Sequence, residues 1–258
     1  MIFDRSLVRL RRARAALGFS AHAFLFERAA ADLIERLGLL ERPVSTAIDL
    51  AARGGVFRRA LSDVGQSLRL IEADLVPDGV SVVVDEEALP FATGAADLIV
   101  SLLSLHAVND VPGALIQIRR ALKPDGLFLG AMFGAETLRE LRHCLADAEI
   151  ECEGGLSPRV APFADIRDAA GLLQRAGFER PVVDRDEVSV TYPTPLHLMR
   201  DLRGMGETNA LTLRRRTPLR RATLLRACAL YDERYGTEDG RVQATFDILY
   251  LTGFAGGY

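Results

Sequence analysis

Between residues 46 and 133 short apolar runs alternate with amphipathic stretches, and that alternation constrains the fold more than any other feature of the chain. Thr46-Ala47-Ile48-Asp49-Leu50, residues 68–73 (LRLIEA), 80–84 (VSVVV), 97–103 (DLIVSLL) and 127–133 (LFLGAMF) are short runs with the length of strands. Between them lie a glycine-containing turn leading into a helical stretch from Val56 to Leu61, and a helix over residues 113–122 closed by a Lys123-Pro124-Asp125-Gly126 turn. Strands that are apolar throughout and separated by helices form βαβ units, in which a parallel sheet is covered on both faces. The expected architecture is therefore α/β and Rossmann-like, a mostly parallel sheet with helices on both sides.

The flanks extend this pattern. Residues 21–38 place Phe24, Leu25, Ala29, Leu33 and Leu37 at helical spacing before a stop at Gly38. Beyond residue 134 the spacing predicts a helix over 135–150, a loop at 154–158 and an amphipathic helix over 164–177. A long strand over 181–192, a mostly helical stretch over 196–235 and a last strand over 244–251 follow. A late pair of strands of this kind is expected as an antiparallel hairpin at one sheet edge, which brings the strand count to seven. The organisation expected is an N-terminal helical segment (1–40) followed by one α/β domain (41–258), with a helical cap inserted at about 193–240.

Composition narrows the function classes. A net charge of −3 and the absence of aromatic residues among the arginines of 214–221 (RRRTPLRR) argue against a nucleic-acid binder. No apolar run approaches the roughly 18 residues of a membrane span. Arg5, Arg9, Arg11, Arg12 and Arg14 read as the exposed basic face of a first helix, and 214–221 as a solvated helix start. The cysteines, Cys144, Cys152 and Cys228, form neither a C-x-x-C pair nor a disulfide framework. They predict no metal site and suit a reducing, cytoplasmic location.

In an open parallel sheet, ligands bind beyond the carboxyl ends of the strands where strand order reverses. Acidic residues stand at three successive strand ends: Asp49, Asp74, and the pair Asp85 and Glu86. Asp74 falls at the spacing at which an acid accepts from ribose hydroxyls, and the acids after strand three are placed to accept from an adenine amino group. Strand four ends in Ser101 to His106.

At these residues the chain resembles class I S-adenosylmethionine (SAM) methyltransferases, including those that methylate the malonyl carrier of biotin synthesis. It is more similar still to the methyltransferase-like assembly factors of complex I (NADH dehydrogenase). The phrases that carry the likeness are Ile2-Phe3-Asp4-Arg5, Asp85 to Phe91, Ser104 to Asp110, and Leu122-Lys123-Pro124-Asp125-Gly126. Gly130-Ala131-Met132-Phe133-Gly134, Glu153-Gly154-Gly155 and Asp201 to Asn209 complete them. The resemblance implies the class I methyltransferase fold, with Asp49, Ala51, Gly55, Asp74, Asp85, Glu86 and Ser104 lining bound SAM. It also implies a protein substrate, an NADH dehydrogenase subunit whose arginine is modified. The chain departs from the D-L-G-x-G-x-G loop: Ala51 and Arg53 replace its first two glycines and only Gly55 stays in register. An arginine at the middle position is expected to strain the loop or enter the space of the methionine moiety.

Three residues stand out for chemistry. His106 is the best-placed general base, with Asn109 and Asp110 near it. Glu207 and Asn209, after the Gly204-Met205-Gly206 turn, are placed to meet a substrate guanidinium, for which a carboxylate is the bidentate partner. Methyl transfer from SAM is the leading expectation. Modification of an arginine on a complex I subunit and a cofactor-free assembly chaperone are the alternatives.

Overall fold

The computed structural model describes residues 1–65 and 67–257. Its centre is a seven-stranded sheet in the order β3-β2-β1-β4-β5-β7-β6. The strands are β1 (Thr46–Leu50), β2 (Arg69–Asp74), β3 (Val82–Val83), β4 (Ala96–Leu102), β5 (Leu122–Phe133), β6 (Glu179–Tyr192) and β7 (Val242–Phe254). β1 pairs in parallel with both β2 and β4, so strand order reverses at β1. β7 runs antiparallel between β5 and β6, and the long β6–β7 ladder forms the sheet edge. This is the seven-stranded class I methyltransferase sheet.

The apolar strands bury both faces. Ala47, Leu98, Val100, Leu127 and Leu129 pack under Leu25, Phe26 and Leu33 of α2 (Phe24–Gly38) and beside α3 (Val56–Asp63). Their neighbours Ile48, Leu50, Ile99, Phe128 and Met132 face the other way. They meet Leu115 and Ile118 of α4 (Val111–Ala121) and Leu173 of α6 (Ile166–Arg175). The period-two alternation of a strand places successive residues in two different cores. α5 (Arg139–Glu153) and α8 (Arg221–Tyr235) lie against each other through Cys144, Leu145, Ala148, Ala227 and Leu230 on the α2 side.

Several local expectations shift. The strand expected over 80–84 is reduced to two residues that pair only with the end of β2. The helix expected from 135 begins at Arg139, and that expected from 21 begins at Phe24 after a 3-10 stretch, Ala16–His22. Between β6 and β7 α7 (Pro195–Gly204) and α8 are helical, with 205–220 irregular around Gly206 and Pro218. The Lys123-Pro124-Asp125-Gly126 turn bulges from β5: Leu122 pairs with Ala96 and Leu127 with Leu98, and Asp125 takes φ 59°.

The N-terminal helix α1 (Arg5–Ala15) is capped by Asp4, whose side chain accepts from the Leu7 amide at 3.1 Å. The chain before it is tied across the carboxyl ends of the strands. Phe3 N donates to Asn109 Oδ1 (2.7 Å), Asp4 N to the Ala210 carbonyl (2.9 Å), and Thr212 N to the Ile2 carbonyl (2.8 Å). α1 is therefore not an exposed basic face. Arg9 and Arg14 point to solvent, but Arg5, Val8, Arg12 and Ala15 share its inner side, and Arg12 is only 4% exposed. The 214–221 stretch is likewise ion-paired in part: Arg214 reaches Asp4 at 3.4 Å, and Arg215 and Arg220 meet Glu153.

Candidate functional site

The loop after β1 folds back on β2, with the amides of Ala51 and Ala52 donating to the Ala73 carbonyl at 2.7 and 3.1 Å. Positive φ falls on Ala51 (64°), Gly54 (59°) and Gly55 (63°), and not on Arg53. The strain expected at Arg53 thus sits two residues earlier. A left-handed alanine costs about 1–2 kcal/mol, and glycine's extra chain entropy returns about half of that. Ala51→Gly is therefore expected to stabilise the protein by about 0.5–1 kcal/mol, read as a higher urea midpoint with unchanged slope. A lower midpoint would show that the alanine methyl makes a contact worth more than the strain.

The four acids at the strand ends meet different fates. Asp49 is fully buried, and both its carboxylate oxygens lack a partner among the described residues. Burial, then Glu72 and Asp74, push it well above the ordinary carboxylate value. Asp74 accepts from Val76 N at 2.9 Å through one oxygen, and its other oxygen is buried without a partner among the described residues. Burial raises it, against the lowering effect of Arg12 and Arg53. Asp85 accepts from Arg5 Nη2 at 2.6 Å.

Glu86 is held by three groups at once: Arg5, Arg12 Nη1 at 3.3 Å, and the Ser104 hydroxyl. Burial pushes its carboxyl up, but Arg12 and Arg5 outweigh that and bring it down to about 2. Ser104 Oγ also accepts from Arg12 Nη2 at 2.9 Å. Glu86 and Ser104 are thus engaged by the chain's own α1. The space left between Asp74, Ala52, Arg53 and Gly54 on one side and Arg12, Ala16 and Phe19 on the other is about 20 Å³. Pockets for small ligands run to about 300–1,000 Å³. The residue types fit a nucleoside cofactor, with Asp74 presenting a free acceptor beside the Gly54-Gly55 turn, but Arg12, Phe19 and Arg53 fill the room it needs.

A second, larger cavity lies alongside. It measures about 190 Å³ and is mostly apolar, with Phe3, Phe133, Phe163, Met199 and Phe246 among its walls and Arg12, His106, Arg159, Glu207 and Asn209 among its polar members. His106 stands on a 3-10 turn (Leu105–Ala107) past β4, its ring 4.7 Å from that of Phe133 and 5.7 Å from that of Phe163. Its Nε2 donates to Glu207 Oε2 at 3.1 Å, and its Nδ1 is buried without a partner among the described residues. Glu207 follows α7, and its other oxygen receives Arg53 Nη1 at 2.6 Å. Burial pushes Glu207 up, yet His106, then Arg53 and Arg12, hold it well below the usual carboxylate range, so it is an anion in an apolar wall.

His106 and Glu207 therefore converge, while the other candidates brace loops. Asn209 Nδ2 donates to the Pro158 carbonyl at 2.7 Å, and its Oδ1 accepts from Leu211 N at 3.0 Å. Asn109 fixes the N-terminus, and Asp110 caps α4 through Gly113 N at 2.9 Å. The roles of Arg5, Arg12 and Arg53 escape sequence reasoning. The available signal is the i, i+3, i+7, i+10 set Arg5, Val8, Arg12, Ala15, which puts two arginines on the apolar side of α1. Among the described residues no group of three or more His, Cys, Asp or Glu side chains is placed to hold a metal ion.

Residues 21–182 match the family model of a methyltransferase domain. The chain belongs to the methyltransferase family. Over 98% of its length, and 82% of the relative's, it is 43% identical to "Arginine-hydroxylase NDUFAF5, mitochondrial" of Danio rerio. It is 32% identical to the malonyl-[acyl-carrier protein] O-methyltransferase of Halorhodospira halophila, over 96% of this chain and 86% of that one. Among solved structures, the YcgJ protein of Bacillus subtilis superposes with a TM-score of 0.58 at 15% identity, covering 89% of this chain and 98% of that one. The cytoplasmic placement is overturned by the first of these likenesses, since that relative is named mitochondrial. Unpaired cysteines report a reducing environment and do not identify which compartment supplies it.

Proposed function

We propose that the protein is a SAM-binding enzyme that modifies an arginine side chain presented by a protein partner, a subunit of NADH dehydrogenase, in the cavity beside His106 and Glu207. The observation that carries this reading is the Glu207 carboxylate, kept ionised in an apolar wall of a 190 Å³ cavity with the unpartnered Nδ1 of His106 nearby. A buried carboxylate recognises a guanidinium by charge and by its planar fork. The surrounding Phe133, Phe163 and Phe246 suit its flat faces and the methylene stem. The lone pair of His106 Nδ1 would take the N–H proton that a guanidinium nitrogen loses as it receives a methyl group, with Glu207 orienting the ring through Nε2. The likeness to a relative named an arginine hydroxylase supports the same substrate class.

SAM, when bound, supplies an electrophilic methyl group. Asp74, the Ala51–Gly55 loop and Asp49 would hold it, with Asp85, Glu86 and Ser104 reached once Arg5 and Arg12 withdraw. Titrating a short peptide that carries one arginine, and the same peptide with citrulline in its place, tests the acceptor site. Binding of the arginine form alone is expected. Equal binding of the two would sink the assignment, because citrulline keeps the shape and loses the charge.

The closed nucleoside space favours a second reading, a cofactor-free module that assembles its partner without chemistry. Calorimetry separates the two. Micromolar binding of SAM or its demethylated product, weakened by Asp74→Ala, supports the enzyme. No heat and no thermal shift at millimolar ligand would leave the module as the better account.

A further inference from the structure

Arg53 departs from the glycine loop in sequence, and its side chain departs from it in space. The guanidinium lies against both rings of the edge-to-face pair Phe19–Phe26, 4.9 and 4.6 Å from their centroids. It donates to the Met205 carbonyl and to Glu207 Oε1, the latter at 2.6 Å. Gly206 allows the approach: it holds φ 76°, and a Cβ there would lie 3.0 Å from Arg53 Nη2. One oxygen of Glu207 is thus fixed by Arg53 and the other by His106, and Glu207 and His106 both line the larger cavity.

We infer that Arg53 is a positioning residue for the acceptor site: it fixes the orientation and charge of Glu207 and ties that carboxylate to the loop after β1. This rests on the reading of Glu207 as the guanidinium-binding carboxylate. Three charged or titratable groups face Glu207: His106 from the turn after β4, Arg53 from the loop after β1, and Arg12 from α1. Arg53 is the one that belongs to the loop which in this fold runs beneath a cofactor. Any shift of that loop is transmitted to Glu207 through a rigid, stacked fork. The arginine that replaces a family glycine therefore gives the loop a second task.

The test uses the full chain, Nα-acetyl-arginine methylamide as the probe, and the carboxyl carbon resonance of Glu207, assigned by its loss in Glu207→Gln. In Arg53→Met the Glu207 midpoint is expected to rise by about one pH unit or more, since one of its two direct partners is gone. The acid limb of probe binding should rise with it, with about a tenfold weaker affinity at a pH on that limb. Arg53→Lys should restore most of the midpoint but less of the affinity, because it keeps the charge and loses the fork. Should the methionine variant fail to fold, Arg53→Gln serves in its place. An unchanged midpoint and unchanged acid limb in a folded, charge-removing variant would overturn the inference. If Glu207→Gln binds the probe like the wild type while Arg53→Met still moves the midpoint, Arg53 positions Glu207 and the guanidinium assignment fails.

Discussion

Glu86→Ala should destabilise the protein by about 3–5 kcal/mol, the usual result of removing one side of a buried ion pair. Glu86 is the one carboxylate ion-paired with Arg12 among the described residues, with Asp74 and Glu207 acting on it at longer range, and it shares Arg5 with Asp85. Its removal leaves the Arg12 guanidinium 3% exposed, with the Ser104 hydroxyl as its one remaining side-chain hydrogen-bond partner among the described residues. The pH dependence gives the same scale. Glu86 falls from an ordinary 4.5 in the unfolded chain to about 2 in the fold. A depressed carboxyl stabilises the fold above its unfolded value, and that stability is lost as pH falls through the folded value. The difference corresponds to about 3 kcal/mol. Glu86→Gln should accordingly flatten the acid limb of the stability curve, measured by urea unfolding at several pH values. An acid limb unchanged in Glu86→Gln would mean that other groups carry it. The double variant Glu86→Gln with Arg12→Met should recover much of the loss, because replacing both charges with groups of similar shape removes the desolvation cost.

Glu207→Gln is expected to have the largest effect on activity. The carboxylate is an anion bound on both oxygens. Losing one side of a buried, hydrogen-bonded charge pair with substrate costs about 2–5 kcal/mol. That is on the order of a hundredfold or more in kcat/KM for an arginine substrate. Because Arg53 is left buried against an amide, part of the cost should also appear as lost thermal stability. His106→Gln separates the two effects. It keeps a donor toward Glu207 and removes the Nδ1 lone pair, so it should lower kcat with little change in substrate binding. A fall in binding with unchanged kcat would place His106 in recognition instead of proton transfer.

Much of this architecture is legible in the sequence. The strand-helix alternation from Thr46 to Phe133 specifies a parallel sheet because apolar strands without polar alternation must be covered on both faces. The acids Asp49, Asp74, Asp85 and Glu86 can be placed because each stands at or just beyond the end of a strand. The two-residue β3 was overestimated because Val80 to Val84 has strand propensity but only the end of β2 to pair with. The site itself was legible only in part. His106 and Glu207, 101 residues apart, meet because α7 delivers its terminal turn over the end of β4, and no local pattern reports that. Arg12 and Arg53 looked like a surface charge and a loop defect. Their meaning lies in partners 74 and 154 residues away. Charge alone does not indicate whether an arginine is solvated or buried against a carboxylate.

The most direct test of the account is the mass of the arginine-containing peptides of the partner subunit, isolated from cells with the protein, without it, and with its Glu207→Gln form. The account predicts one arginine that gains a group only when the wild-type protein is present; the added mass, one oxygen or one methylene, names the reaction. An identical peptide mass in all three cells, with the subunit fully assembled, would contradict it.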